Sequence, residues 1–308
     1  MSLQCVGPGI YAIDSGYIRP QLDAVHLLVD DGEVAFVDTG VQSSVPYILA
    51  ALKALGHAPD AVRYVFLTHI HLDHAGAASV LMAHFPKATL VVHPRGARHM
   101  ADPSRLIAGS VAVYGETEFN RLYGNIGPID PARIHASTDG ERLMLGRRTM
   151  ALLHTPGHAK HHHSIVDLDG DGVFTGDVFG LSYRAFDVGE RPFVFPSTSP
   201  VGFDPAAAHA SIDRIATCGA TVAYLTHYSR VGELPRLAVD LHADIDAFVA
   251  LTRASATEKE LEQSIFSHLE NRLSQHGYHG TPETKSMWLG LDVRLNAQGL
   301  WFWREHRQ

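Results

Sequence analysis

Cysteine is almost missing from this 308-residue chain: only Cys5 and Cys218 occur, far apart and without C-x-x-C spacing. That excludes a disulfide framework and a thiolate metal site. Runs of basic residues are missing too. With 25 Lys and Arg against 33 Asp and Glu the formal charge is −8, which would repel a polyphosphate backbone and excludes a nucleic-acid partner. No apolar run approaches the roughly 18 residues of a membrane span. The opening MSLQCVGPGIYAIDSG lacks the basic segment and apolar stretch of a secretory signal. These absences predict a cytoplasmic protein with no membrane partner.

What is present is the composition of a globular protein, with 45% apolar and 19% charged residues. The length allows one large domain or a main domain with an appendage. Histidine is abundant, at 21 residues, and it is the commonest metal ligand.

The segments GIYAID (9–14), AVHLLVD (24–30) and EVAFVDTG (33–40) read as strands, the last two joined by the turn DDGE. From there β-α-β alternation takes over: helix 45–56, strand 63–68, helix 74–85 and strand 88–93. Residues 94–123 are predicted helical, a cover over something. Strands return at 148–155, 163–170 and 172–177, with a hairpin turn at Asp169 to Gly172, followed by helix 205–219 and strand 221–227. From about residue 231 the pattern is helical, and apolar stripes such as Ile265, Phe266 and Leu269 predict packing on the main domain. The chain therefore divides into a catalytic domain at 1–230 and a mainly helical extension at 231–308. If Trp288, Trp301 and Trp303 of that extension are exposed, they hint at a homodimer.

FLTHIHLDHAGA (66–77) places His69, His71, Asp73 and His74 directly after a strand. On a helix His69 and His71 would point about 200° apart, so H-x-H-x-D-H works only as a loop that turns alternate side chains inward. Strand ends hold ligands rigidly, because the sheet fixes where each loop begins. Three other strands end alike: LLHTPGHA gives His158, FTGDVFG gives Asp177 and YLTHYS gives His227.

Together these motifs resemble the metallo-β-lactamase fold superfamily of hydrolases over roughly residues 8–230, with FVDTG and its Asp38 similar to the family's first motif. The resemblance implies an α/β fold, an αββα sandwich of two mixed β-sheets flanked by helices, with a dinuclear site along one edge. It implies that His69, His71 and His158 bind one metal, that Asp73, His74 and His227 bind a second, that Asp177 bridges both, and that Asp38 supports the metal loop. HPRGARHMADPSRL, FTGDVFG and the SPVGFDPAAAHASIDRI to LTHYS passage look closest to a branch of hydrolases whose substrates are mostly unassigned.

Two cations about 3.5 to 4 Å apart lower the pKa of a shared water toward neutrality, giving a bridging hydroxide that attacks an electrophilic carbonyl or phosphoryl centre. The cofactors expected are two divalent transition-metal ions, zinc first, with iron or manganese as alternatives. Asp73 is expected to be both ligand and catalytic group, orienting the nucleophile or accepting its proton. Tyr228 is a candidate catalytic donor to the oxyanion, and Tyr183 a candidate substrate-binding phenol. His154, His161, His162 and His163 surround His158, but the family pattern uses only the TPGH histidine, so His162 or His163 is read as supporting or solvent-facing; His93 and His99 lie near the cover, read as surface residues with substrate contact as the alternative.

Hydrolysis of a carboxylic ester, thioester or lactone in a small-molecule substrate is the leading reading. The alternatives are a non-haem iron oxidoreductase, such as a persulfide dioxygenase, and a noncatalytic metal-binding sensor. Flavodiiron oxygen chemistry is disfavoured because that group places glutamate at the position of His71.

Overall fold

This computed structural model describes residues 3–198 and 202–306. Residues 199–201, which open the SPVGFDP passage, and the first two residues of the N-terminal stretch lie outside the described residues. Alternation sorts the strand residues into separate cores. One sheet runs β1 (Leu3–Gly7), β2 (Ile10–Asp14), β3 (Ala24–Asp30), β4 (Glu33–Val37), β5 (Val62–Leu67), β6 (Thr89–Val92) and β7 (Ile134–Ala136), in that spatial order. The second runs β8 (Arg142–Leu145), β9 (Arg148–His154), β10 (His163–Asp167), β11 (Gly172–Gly176), β12 (Val222–Leu225) and β13 (Ser229–Val231), again neighbour to neighbour. The first sheet starts as an antiparallel meander and becomes parallel from β4 onward. The second is antiparallel except where β11 meets β12.

Leu28, Ala35, Val37, Tyr64 and Phe66 point inward and meet Met150, Leu152, Ile165 and Phe174 of the facing sheet. Their chain neighbours Leu27, Val34, Phe36, Val65 and Leu67 point the other way, into a second core. Because both faces are buried, these strands read as continuous apolar runs. The helices α1 (Val45–Ala54), α2 (Leu72–Ala75), α3 (Ala78–His84) and α4 (Pro94–Ala101) come next in the chain, and Ile48, Leu52, Leu81 and Met100 close that second core. Helices α5 (Ser104–Tyr114) and α6 (Glu116–Tyr123) occupy the segment read as a cover.

A third core lies outside the second sheet, where Val166, Val173, Ala223 and Leu225 meet Ile212 of α7 (Pro205–Ala216) and Leu241 and Phe248 of α8 (Leu234–Ala254). Ile265 and Leu269 of α9 (Glu258–His276) and Leu289 and Val293 of α10 (Pro282–Glu305) extend it. Layer by layer this is the expected αββα sandwich, with a helical C-terminal region. Trp288, Trp301 and Trp303 are each half-buried. Among the described residues no helix is long and apolar enough to cross a membrane.

One predicted helix is split. The segment 74–85 becomes α2 and α3, because the His74 carbonyl accepts from Thr39 N at 2.7 Å and Ala77 N donates to Gly40 O at 3.0 Å. The 39–40 backbone thereby takes the bonds that a continuous helix would have made.

Candidate metal centre

Four strands, β5, β9, β11 and β12, deliver their following loops to one edge of the sandwich, and every donor named from the sequence arrives there. His69 and His71 lie on the loop after β5, and Asp73 and His74 on the single turn of α2. The TPGH loop after β9 carries His158, Asp177 follows β11, and His227 follows β12. His69, His71 and His158 form one group of donor atoms within 4.8 Å of one another; Asp73, His74 and His227 form another; His69, His74 and Asp177 form a third.

Glycines permit these approaches. A Cβ on Gly176, at φ 51°, would meet His162 Nε2 at 2.6 Å and Thr68 Oγ1 at 2.7 Å. Gly157 of the TPGH loop likewise leaves no room for a Cβ against the Ala208 backbone of α7. Any side chain at either position would push a donor loop away from the cluster.

The tautomers are set from behind. Asp38, at φ 60°, is the hub. It accepts from Thr68 N at 2.8 Å, from the Thr68 hydroxyl, from Thr226 Oγ1 at 2.8 Å and from His74 Nδ1 at 2.8 Å. His74 is thus left with its Nε2 facing the cluster. His227 Nδ1 donates to Leu22 O at 2.8 Å and His158 Nδ1 to Ser197 O at 3.1 Å, so their Nε2 atoms face inward as well.

The buried donors fit cations. His74 Nε2 and Asp177 Oδ1 stand 3.2 Å apart, and neither has a hydrogen-bond partner among the described residues. His71 Nδ1 lies 2.9 Å from His69 Nε2 and 3.0 Å from His158 Nε2, three lone-pair nitrogens gathered on one point. Such spacing approaches the roughly 3.4 Å edge of a tetrahedral site with bonds of about 2.1 Å. Asp177 Oδ2 is 3.6 Å from His158 Nε2 and Oδ1 is 3.6 Å from His227 Nε2, so one carboxylate faces both groups.

The electrostatics follow the same division. Burial, then the neighbouring imidazoles, hold His69 and His71 well below the ordinary histidine range, in the neutral form a ligand requires. Burial would lower His74 and His227 too, but Asp177 and the other carboxylates outweigh it and raise both, His227 to about 10. Burial would raise Asp73 and Asp177, yet the imidazoles outweigh it, taking Asp73 to about 2 and Asp177 well below the carboxylate range. The second group is therefore a carboxylate-rich pocket that attracts positive charge.

The two tyrosines differ in their hydroxyl contacts. Tyr183 is buried and donates its hydroxyl to Asp292 at 2.8 Å. Tyr228 packs against Ala12 and Ala24, and its hydroxyl has no hydrogen-bond partner among the described residues. His162 and His163 do support the site: His162 Nε2 accepts from Asp177 N at 3.3 Å, and His163 bonds Leu67 O at 2.7 Å.

Sequence reasoning missed two carboxyls. Asp23 is fully buried with both oxygens unpartnered among the described residues, and burial pushes it up to about 7 against the fields of His227 and His74. Asp292 of α10 is raised to about 6 by burial, partly offset by the Tyr183 bond and the fields of His227 and Arg19. Asp292 follows no strand and matches no motif; the Tyr183 contact spans 109 residues.

A two-sheet sandwich carrying this edge of imidazoles and carboxylates defines a class of metal-site proteins. Residues 23–227 match the family described as the Metallo-beta-lactamase superfamily, and the chain belongs to it. It is 28% identical over 198 residues to the metallo-beta-lactamase fold-containing protein ST1585 of Sulfurisphaera tokodaii, covering 63% of this chain and 68% of that one. The solved structure of ST1585 superposes with a TM-score of 0.68 at 22% identity, over 98% of this chain and 100% of the other. The N-acyl homoserine lactonase AttM of Azorhizobium caulinodans is 31% identical over 118 residues, 38% of this chain and 40% of its own length. A hydroxyacylglutathione hydrolase of Salmonella typhi is 29% identical over 152 residues, 48% of this chain and 45% of its own.

Proposed function

We propose that this protein is a metal-dependent hydrolase of a carboxylic ester, thioester or lactone, using two divalent ions, zinc in the first place. One observation carries the reading: a single carboxylate, Asp177, faces two groups of donors, and in three of their imidazoles, His74, His158 and His227, the outer nitrogen is already committed to a supporting bond. His69, His71 and His158 would hold one ion, and Asp73, His74 and His227 the other, with Asp177 between them. Bound there, the pair would supply Lewis acidity and a water acidic enough to ionise near neutral pH.

The chain's own residues do the rest. Asp38, Leu22 O and Ser197 O fix three imidazoles with Nε2 inward, so no reorganisation is needed when a substrate arrives. Asp73 is about a quarter exposed and the most open of the inner carboxylates, which suits its second oxygen to accept a proton from the nucleophile. The relatives named as a lactonase and a hydroxyacylglutathione hydrolase support ester and thioester chemistry.

Metal analysis of protein purified without added metal should find close to two ions per chain. A panel of lactones, thioesters and aryl esters, assayed with zinc, manganese and iron, should show turnover that Asp177→Ala reduces by about a thousandfold or more. One iron per chain with oxygen uptake on persulfides would replace this reading by the dioxygenase. Metal content near zero in a folded protein would end it.

A further inference from the structure

Beside the donor groups lies a cavity of about 470 Å³, lined by Pro94, Arg95, Arg98 and His99 of α4 and by Lys160 and His161 of the loop after β9. Every ionisable group in that lining is basic. Arg95, Arg98 and Lys160 are exposed, and none has a carboxylate partner among the described residues. Arg148, Arg236 and Arg272, by contrast, each pair with aspartates. Asp102, at the end of α4, is occupied by the amide and hydroxyl of Ser104. Gathering uncompensated cations on one wall of a chain with a formal charge of −8 brings no attraction within the fold, but it does draw an anion.

The cavity shares a wall with the metal centre. The His161 ring lies 5.5 Å from His71 and 6.2 Å from His69, and its buried Nδ1 has no hydrogen-bond partner among the described residues. His161 borders both, so a molecule whose carbonyl stood at the donor groups would extend past that ring into the cavity. The summed positive charge of that wall draws carboxylate and phosphate alike.

We propose that this cavity receives a carboxylate or phosphate of the substrate, so that the hydrolase acts on anionic acyl compounds. The inference rests on the hydrolase reading above, and its test separates the two. Two matched pairs are assayed: mono(4-nitrophenyl) glutarate against 4-nitrophenyl butanoate for a carboxylate, and propanoyl-coenzyme A against S-propanoyl-N-acetylcysteamine for phosphate. In at least one pair, the ratio of kcat/KM for the anionic member over the neutral one should fall about tenfold or more in Arg95→Glu/Arg98→Glu, mainly through KM. Arg95→Lys/Arg98→Lys should keep that ratio within about threefold, and added salt should lower it in the native protein. The pair that responds identifies the anion.

Titration calorimetry of the metal-loaded protein with glutarate and with inorganic phosphate reads the cavity without catalysis. Charge reversal should weaken one of them about fivefold or more even if no ester is hydrolysed, which would uphold the cavity while the hydrolase reading fell. Equal binding of both anions by native and reversed proteins, with ratios unchanged in both pairs or no ester hydrolysed, would overturn the proposal.

Discussion

Two stretches of this chain are dense in histidine, and they use it in opposite ways. Between residues 69 and 74 all three imidazoles join donor groups, whereas between 158 and 163 only His158 does. The difference is backbone direction. After β5 the chain bends through an extended His71 into one turn of helix, so His69, His71 and His74 converge. After the TPGH turn the chain crosses to β10, which begins at His163, and the remaining rings take other partners. His162 reaches Thr155 and the Asp177 amide, His163 reaches Ser137 and Leu67 O, and His161 faces the basic cavity. Equal density of ligand-type residues thus says little until the path of the chain is known.

The comparison breaks most sharply at His158. His158→Ala should lose one ion per chain and about a thousandfold in activity, while His163→Ala should keep both ions; equal metal contents by elemental analysis would contradict the division. Next comes the hub behind the first stretch. Asp38→Ala keeps all seven donors but frees the His74 ring, and metal affinity or activity should fall about 10- to 100-fold in a chelator competition.

His163 sharpens the contrast through pH. Burial, with a smaller contribution from His93, depresses it to about 3 in the folded chain from a reference of 6.5. Below pH 6.5 the unfolded chain binds the proton and the folded one does not, so stability falls as pH drops through this window and levels off below about 3. The contribution is roughly 4 to 5 kcal/mol across the window. In urea unfolding, His163→Ala should be destabilised at neutral pH by about 1 to 3 kcal/mol and show a flatter pH dependence than the native chain. Parallel pH profiles would refute the assignment. The smallest effect is expected at Tyr228. Its hydroxyl has no partner to lose, so Tyr228→Phe should change kcat by less than about twofold; a drop of a hundredfold would restore the oxyanion role the sequence suggested.

The donor set was legible because every member follows a strand, and the strands are legible because both of their faces are buried. Short or exposed strands were not. β7 is three residues long, too short for a period to show, and β1 has no buried residue, so no buried face alternates along it. β8 reads RLML, with Met144 exposed on its outer side, an apolar residue where the pattern wants a polar one. The walls of the site were hidden for another reason. Arg19 reaches the Met287 and Trp288 carbonyls across more than 260 residues, and Asp292 reaches Tyr183, contacts that depend on how the tail folds back and leave no local signature. The basic cavity escaped notice for the same reason, since Lys160 lies 62 positions from Arg98.

Asp38 accepts from Thr68, beyond the end of β5, and from Thr226, beyond the end of β12, so one carboxylate bolts the two sheets together at the rim where they meet. Parting the layers there would break these bonds at once. In hydrogen-exchange measurements the Thr68 amide should be among the last to open.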